Sequence, residues 1–218
     1  GVGFNKENSA YLEEFDREWN ITPNEMLSEN GVIAEITTNT HLHVLEGYTT
    51  LYEITKNEAV REKLKNLIYT FYNKIYDKEN HFLKIFFDGN WNTIIDVKSY
   101  GHDIEASWLI DEAYKVLNLK DEAIEKMIID IAYNIKSQIQ EDGSLINESE
   151  NGVKDYTRIW WVQVEAMVGY LNAYERTHDE EFLKIVNNLM EYTMENMVDK
   201  REGGEWYWAI EPNGKPTE

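Results

Sequence analysis

Three stretches of the sequence decide its fold: HVLEGYTTLY from His43, HDIEASWLID from His102 and VQVEAMVGYL from Val162. Laid over one another, they align Glu46, Glu105 and Glu165, which are 59 and 60 residues apart. A period of about 60 residues exceeds the usual solenoid repeats and fits a pair of helices plus a loop. The sequence therefore predicts three copies of one helical unit.

Apolar residues recur at helical spacing within each of these stretches and again just after it. The later segments lie near 60–75, 124–135 and 182–189, and an N-capping residue precedes each of them: Asn57, Asp121 and Asp179. This pattern predicts six helices in three hairpins. An open array of hairpins would need a polar capping helix at each end, so we expect an all-α fold, part of a closed α/α toroid.

Short segments with turn-forming dipeptides separate the helical hairpins. Asp88-Gly89 and Asn213-Gly214 are the clearest, and Asp142-Gly143 is a weaker instance. Such dipeptides supply the positive φ angles of a tight turn. We therefore expect small β-hairpins between the helix pairs, with these glycines at positive φ.

The composition excludes several classes of function. Among 218 residues, 41 are acidic and 21 are basic, which gives a formal net charge of −20. Phosphate backbones and anionic lipid surfaces would repel this charge, so nucleic-acid and membrane partners are not expected. The sequence has no cysteine, no export signal and no run near the roughly 18 apolar residues of a membrane span. A cytoplasmic protein with a small-molecule ligand is the expectation.

Two histidines stand at matched positions of the repeat. His43 precedes Glu46 by three residues and His102 precedes Glu105 by three, so imidazole and carboxylate share a helical face in both copies. Asn39, one turn before His43, lies on the same face. The repetition favours a catalytic role for both histidines.

The other histidines are assigned to structure or surface. His41 points to a different face from His43 and is expected to be structural. His81 and His178 fall in connections, where solvated surface is the expectation.

Aromatic residues at the same end of the repeat suggest a sugar ligand. Trp160 and Trp161 open the third inner helix where histidines open the other two, and flat rings beside carboxylates suit a sugar's apolar face and hydroxyl edge. Adjacent helical residues point about 100° apart, so one indole is expected in the core. Glu148 could reach the same site, although a solvated position is equally compatible with its spacing.

Metal binding is a weaker alternative, because two His-x-x-Glu pairs offer four ligands. Carboxylate-bridged di-iron proteins instead use Glu-x-x-His in a bundle of long helices, and the inserted hairpins argue against such a bundle. The chain also lacks glycine-rich phosphate loops and the Gly-x-Ser-x-Gly motif, which excludes those phosphate sites and serine nucleophiles.

Three longer motifs resemble the N-acylglucosamine 2-epimerase family, and within it the cellobiose 2-epimerases: NTHLHVLEGYT at 39–49, SYGHDIEASWLI at 99–110 and IWWVQVEAMVGYLNAY at 159–174. The resemblance covers essentially the whole chain, including the EWYW hairpin. It implies an (α/α)6 barrel, of which residues 1–218, as an incomplete portion of a single domain, supply about the C-terminal half. The rest of the barrel is expected before Gly1, and the complete barrel is expected to be a monomer.

The resemblance also implies an activity. Such isomerases reversibly epimerise C2 of the reducing-end sugar in β-1,4-linked disaccharides such as cellobiose, often accept lactose, and need no cofactor. His43 and His102 match catalytic positions of the family. The positions matching substrate-contacting or histidine-orienting residues are Asn39, Glu105, Trp161 and Glu148. A third catalytic histidine is expected after the EWYW hairpin, and residues 1–218 do not include it.

Imidazole suits this chemistry independently of the family. Inverting C2 of an aldose requires ring opening, removal of the proton made acidic by the C1 carbonyl, and its return to the opposite face. A group with a pKa of about 6.5 serves both transfers. We expect His102 to act at C2 and His43 to assist proton return or ring opening. Glu105 either fixes the tautomer of His102 or holds a sugar hydroxyl.

Two other functions stay open at this point. The first is N-acylglucosamine 2-epimerisation or mannose-type aldose–ketose isomerisation, the chemistry of relatives that share the barrel. The second belongs to another class, a non-catalytic helical repeat that binds sugars or protein partners.

Overall fold

Six α-helices form the body of the computed structural model, which describes residues 3–22 and 32–217. Their bounds are α1 Thr38–Thr55, α2 Glu58–Thr70, α3 Tyr100–Val116, α4 Glu122–Ile135, α5 Trp160–Thr177 and α6 Glu180–Asn196. A π-helical turn, Phe71–Ile75, continues α2, and a 3-10 turn, Lys136–Gln138, continues α4. The three predicted hairpins are confirmed. Within the described part of the chain, no helix is long and apolar enough to cross a membrane.

The helices are arranged in two layers. The inner helices α1, α3 and α5 contact one another in sequence order, and each packs against the outer helix that follows it. The predicted N-caps are confirmed, because Asn57, Asp121 and Asp179 each accept a hydrogen bond from a backbone N–H of the first turn of α2, α4 and α6. These caps fix where each outer helix begins.

Short strands join the two ends of each helical hairpin. Their bounds are β1 Phe4–Asn5, β2 Ala10–Tyr11, β3 Ile36–Thr37, β4 Phe86–Phe87, β5 Val97–Ser99, β6 Glu148–Glu150, β7 Val153–Asp155, β8 Arg158–Ile159, β9 Ala209–Ile210 and β10 Pro216–Thr217. The strand before each inner helix pairs antiparallel with a strand that follows the outer helix of the same hairpin: β3 with β4, β5 with β6, and β8 with β9. The predicted local hairpins are therefore only part of the sheet structure. Turn residues reveal local pairing and carry no signal for a partner about 50 residues away.

These strand pairs bring the N-termini of all three inner helices to one rim. The first residue of each inner helix donates its backbone N–H to the returning segment. Thr38 donates to the Ile85 carbonyl (3.0 Å), Tyr100 to Asn147 (3.2 Å) and Trp160 to Trp208 (3.1 Å). Side chains in the first turns of α1, α3 and α5 are thereby held near one another.

Within the described part of the chain, a five-residue turn recurs four times, at 16–20, 88–92, 140–144 and 211–215. In each, the first residue's N–H donates to the fifth residue's carbonyl, and the fourth residue has positive φ. The expected positive φ is confirmed at Gly143 and Gly214. It is wrong for Gly89, the second residue of its turn, where Trp91 takes the left-handed conformation at φ 66°. Gly89 instead permits close approach, because a Cβ there would lie 2.8 Å from Glu35 Oε2.

Tyrosines on the outer helices connect neighbouring hairpins. Tyr69 of α2 donates its hydroxyl to Asp121 Oδ2 (2.8 Å), and Tyr133 of α4 donates to Asp179 Oδ2 (2.9 Å). Both aspartates are the N-caps already described, and each uses Oδ1 for its own helix. Each cap therefore also receives a hydrogen bond from the preceding hairpin.

The contact between α3 and α5 depends on a glycine, which leads to a prediction. A Cβ on Gly169 would lie 2.7 Å from the Ile104 carbonyl oxygen, so Gly169→Ala must push the two inner helices apart. We expect it to lower the free energy of unfolding by about 1–3 kcal/mol, the usual cost of overpacking. Urea denaturation measures this change.

Gly47 in α1 is the matched control, because a Cβ there meets no atom within 4 Å. Gly47→Ala should raise stability, since alanine is the better helix former. Equal effects of the two substitutions would contradict the close-packing argument.

Candidate active site

The predicted site residues converge at the rim formed by the inner helix N-termini. Asn39 and His43 lie on α1, His102 and Glu105 on α3, and Trp161 on α5. The first two turns of these helices therefore supply imidazole, amide, carboxylate and indole groups to one region.

His102 contacts a neighbour on each side of its ring. Its Nε2 lies 3.1 Å from Asn39 Oδ1, and its Nδ1 lies 2.7 Å from Ser99 Oγ. The Trp161 ring packs against it, with centroids 5.0 Å apart. Gly101 makes room for that indole, because a Cβ there would lie 2.5 Å from Trp161 Cη2. The histidine is thus held by one residue from each of the other two inner helices and by Ser99.

The surroundings of His102 keep its imidazole neutral. Burial, and to a smaller extent the neighbouring His43, lower its pKa to about 4. A neutral ring has one nitrogen lone pair and one N–H, so it can accept or donate a proton at neutral pH.

His43 occupies a more open position than His102. Its Nδ1 lies 3.1 Å from Glu46 Oε2, and about half of each side chain is exposed. The predicted His-x-x-Glu contact is therefore present in the first repeat.

Glu105 lies close enough to the other two repeat carboxylates, Glu46 and Glu165, for their charges to act on it. Burial, together with the nearby Glu165 and Glu46, raises the pKa of Glu105 to about 8. Burial also raises the pKa of Glu165, which accepts a hydrogen bond from Trp108 Nε1 at 2.9 Å. Glu105 is therefore mainly protonated at neutral pH and can donate a hydrogen bond from its carboxyl group.

One of the two expectations for Glu105 is wrong. Both ring nitrogens of His102 have other partners, Asn39 and Ser99, so Glu105 does not fix the histidine tautomer. The second repeat therefore lacks the His–Glu contact that the first repeat has.

The tryptophans and Glu148 border the same rim. Trp160 is exposed, whereas Trp161 is half-buried against the hydrophobic core and His102, so the expectation that one indole lies in the core is met in part by Trp161. Glu148 begins strand β6, where it pairs with Ser99 of β5. Its backbone is therefore adjacent to the serine that contacts His102.

The remaining histidines lie away from this region. His41 is fully buried, with Nδ1 bonded to the Thr37 carbonyl, so its structural role is confirmed. His178 is exposed, as predicted. His81 is not simply solvated surface, because its Nδ1 lies 2.5 Å from the Tyr76 hydroxyl and 3.6 Å from Asp130.

The set of site residues predicted from the sequence omits three residues that the structure places at the site. Glu165 could have been found, because the repeat alignment places it with Glu46 and Glu105. Ser99 had a weaker signal, a capping-type residue three positions before a histidine. Trp108 had none, since its bond to Glu165 crosses from α3 to α5. Among the described residues, no group of three or more His, Cys, Asp or Glu side chains is placed to hold a metal ion.

Three stacked helical hairpins with their polar groups collected at one rim define an α/α-toroid protein. The family model of N-acylglucosamine 2-epimerase (GlcNAc 2-epimerase) matches residues 5–218. The chain belongs to this family.

Its relatives include several proteins named cellobiose 2-epimerase. The chain is 44% identical to that of Dictyoglomus turgidum over 214 residues, which cover 97% of this chain and 55% of the relative. It is 45% identical to that of Ruminococcus albus over 203 residues, covering 92% and 52% of the two proteins. The solved structure of cellobiose 2-epimerase from Bacillus thermoamylovorans B4167 superposes with a TM-score of 0.95 at 59% identity, covering 99% of this chain and 56% of that one.

These similarities confirm the expected fold. The cellobiose 2-epimerases have an (α/α)6-barrel fold, and the chain spans about half the length of the relatives it matches. Three hairpins are half of the six in such a barrel. That residues 1–218 form an incomplete portion of one barrel domain stays a prediction.

Proposed function

We propose that the protein containing this chain is an isomerase that epimerises C2 of the reducing-end sugar in β-1,4-linked disaccharides, with cellobiose as the first substrate to test. The observation that carries the proposal is a neutral, partly buried His102 packed against Trp161 and within one helical turn of the protonated Glu105. The similarity to cellobiose 2-epimerases supports the choice of substrate. No cofactor is proposed.

The first step is removal of the C2 proton from the open-chain sugar. His102 accepts that proton, and the electron pair of the C2–H bond forms the C1=C2 double bond of an enediolate. Return of a proton to the opposite face of C2 inverts its configuration. His43, which is more open and paired with Glu46, assists ring opening or proton return.

Other residues at the rim bind the sugar. Trp161 offers a flat apolar face to the ring, and the protonated Glu105 donates a hydrogen bond to a sugar oxygen. Asn39 and Glu148 supply further polar contacts. Because Glu105 is protonated, it carries no negative charge that would oppose the charge developing on the enediolate.

Solvent isotope incorporation tests the proton route. When the complete protein converts cellobiose in D₂O, product is expected to carry deuterium at C2, because an imidazolium exchanges its proton with water before returning it. Partial labelling also supports the route, since a shielded site returns some of the original proton. NMR of the product at C2 measures the label.

Epimer that accumulates without any C2 deuterium over many turnovers would exclude the enediolate route and point to hydride transfer. A panel containing cellobiose, an N-acylglucosamine and mannose separates the proposed activity from the two related ones. Sugar binding without turnover would favour the non-catalytic alternative. The cytoplasmic location and the monomeric complete barrel stay predictions.

A further inference from the structure

The fourth residue of α1, of α3 and of α5 binds the backbone of a segment that precedes its helix. All three side chains are fully buried. Each accepts a hydrogen bond from a backbone N–H: His41 Nε2 from Tyr11 (3.1 Å), Asp103 Oδ1 from Leu83 (2.7 Å) and Gln163 Oε1 from Leu145 (2.9 Å). One position of the repeat therefore fixes the start of each inner helix.

The three backbone partners are equivalent as well. Each lies in an antiparallel bridge, in the pairs Phe4 with Tyr11, Tyr76 with Leu83 and Ile139 with Leu145. An extended residue directs its N–H and its carbonyl to the same side, so one side chain can bind both groups. Gln163 does so, because its Nε2 also donates to the Leu145 carbonyl at 2.7 Å.

Asp103 matches Gln163 except for the second hydrogen bond. Its Oδ2 is buried and has no hydrogen-bond partner in the described part of the chain. An ionised carboxylate can only accept hydrogen bonds, so it cannot bind a carbonyl as the Gln163 amide does. A protonated carboxyl group has both an acceptor and a donor.

The surroundings of Asp103 favour the protonated form. Burial raises its pKa well above the usual value, although Lys98 of β5 acts in the opposite direction. The Lys98 ammonium lies over the Phe82 ring, 5.1 Å from its centroid, and Tyr100 is the titratable neighbour on α3 itself. The N-terminus of α3 also favours a negative charge, but a buried carboxylate with an unpaired oxygen costs more.

We propose that Asp103 is a neutral carboxylic acid that binds the Leu83 backbone at two points, with Oδ1 accepting from the N–H and the Oδ2 hydroxyl donating to the carbonyl. Asp103 is then the counterpart of Gln163, and it fixes the first turn of α3, which carries His102. Ionisation of Asp103 removes the donor and places a carboxylate oxygen against the carbonyl oxygen. The contact between α3 and Leu83 therefore weakens as pH rises.

The variant Asp103→Asn keeps both hydrogen bonds and cannot ionise. Above the pKa of the unfolded chain, about 4, the folded parent protein holds one proton more than the unfolded chain, so its stability falls as pH rises. The unfolding constant of the parent relative to that of Asp103→Asn should thus increase by up to about tenfold per pH unit above this value. Urea denaturation of the complete protein measures the ratio, in which the contribution of Glu105 cancels. A ratio that does not change with pH overturns the proposal.

Difference infrared spectroscopy reports the protonation state at neutral pH. Subtracting the spectrum of Asp103→Asn from that of the parent should leave the C=O band of a protonated carboxyl group. Asp111→Asn is the matched control, because Asp111 is a fully buried aspartate of the same helix that is paired with Arg176 at 2.6 Å. Its difference spectrum should show carboxylate bands. Carboxylate bands for Asp103 would overturn the proposal.

Hydrogen exchange of the Leu83 N–H tests the contact itself. Asp103→Ala removes both hydrogen bonds, so this amide should exchange about tenfold faster or more, whereas Asp103→Asn should keep the parent rate. The Leu145 N–H, which Gln163 binds, is the internal control and should keep its rate in both variants. Equal exchange of the Leu83 N–H in Asp103→Asn and Asp103→Ala would exclude the two-point contact. None of these readouts requires turnover, so each is decided whether or not the protein is an epimerase.

Discussion

Replacing His102 by asparagine is expected to lower epimerase turnover of the complete protein by about 10²- to 10⁴-fold, the usual contribution of a general acid–base group. Asparagine keeps a polar side chain at the rim and removes the titrating nitrogen. The loss should appear in kcat, because Trp161 and the polar groups that bind the sugar stay in place. Steady-state kinetics with cellobiose measure it.

His178→Asn is the matched control for this experiment. His178 is exposed, follows α5 and has φ 57°, a left-handed conformation that asparagine tolerates well. It should retain full turnover, whereas His43→Asn should lose most of it. A His102→Asn protein with more than half the parent rate would assign His102 to structure.

Glu105 is expected to make the protein less stable as pH rises. Burial and two neighbouring carboxylates raise its pKa from 4.5 to about 8. Between these values the folded protein keeps the proton and the unfolded chain has lost it, so the free energy of unfolding falls as pH increases. Glu105→Gln should remove this fall and gain about 2–4 kcal/mol over the parent protein between pH 5 and pH 9.

The measurement is urea denaturation at several pH values. Glu175→Gln, which changes an exposed glutamate on α5, serves as the control and should follow the parent curve. A Glu105→Gln curve that stays parallel to the parent's would contradict the raised pKa. Turnover should fall in Glu105→Gln, because the amide holds the sugar oxygen in a different geometry from the carboxyl group.

The parts of the fold that follow local rules were predictable from the sequence. Helical spacing of apolar residues and the caps at Asn57, Asp121 and Asp179 depend on neighbours within a few positions. The matched His-x-x-Glu pairs likewise need only the helical period. The sequence therefore identified the hairpins and the end of the inner helices at which the candidate site lies.

Contacts between distant residues were not predictable in the same way. The bond from Asn39 to His102 depends on how α1 and α3 lie against each other, and Glu105 could not be excluded as the histidine's partner by spacing alone. Strand pairs that close each hairpin span about 50 residues and involve only two or three residues each. Gly89 is a further example, because the close contact that requires a glycine there comes from Glu35, which is distant in sequence and lies across a strand pair.

The tyrosine bonds between outer helices couple the opening of each hairpin to that of its neighbour. Opening the first hairpin withdraws Tyr69 from Asp121, so the carboxylate that begins α4 loses one of its restraints. Loss of α4 would then release Tyr133 from Asp179 and weaken the start of α6. Fraying of α6 frees the Tyr133 hydroxyl in the same way, because a hydrogen bond couples its two partners reciprocally. Neighbouring hairpins therefore protect one another, and the protection of amide protons at the start of α4 and α6 depends on both hairpins of each pair.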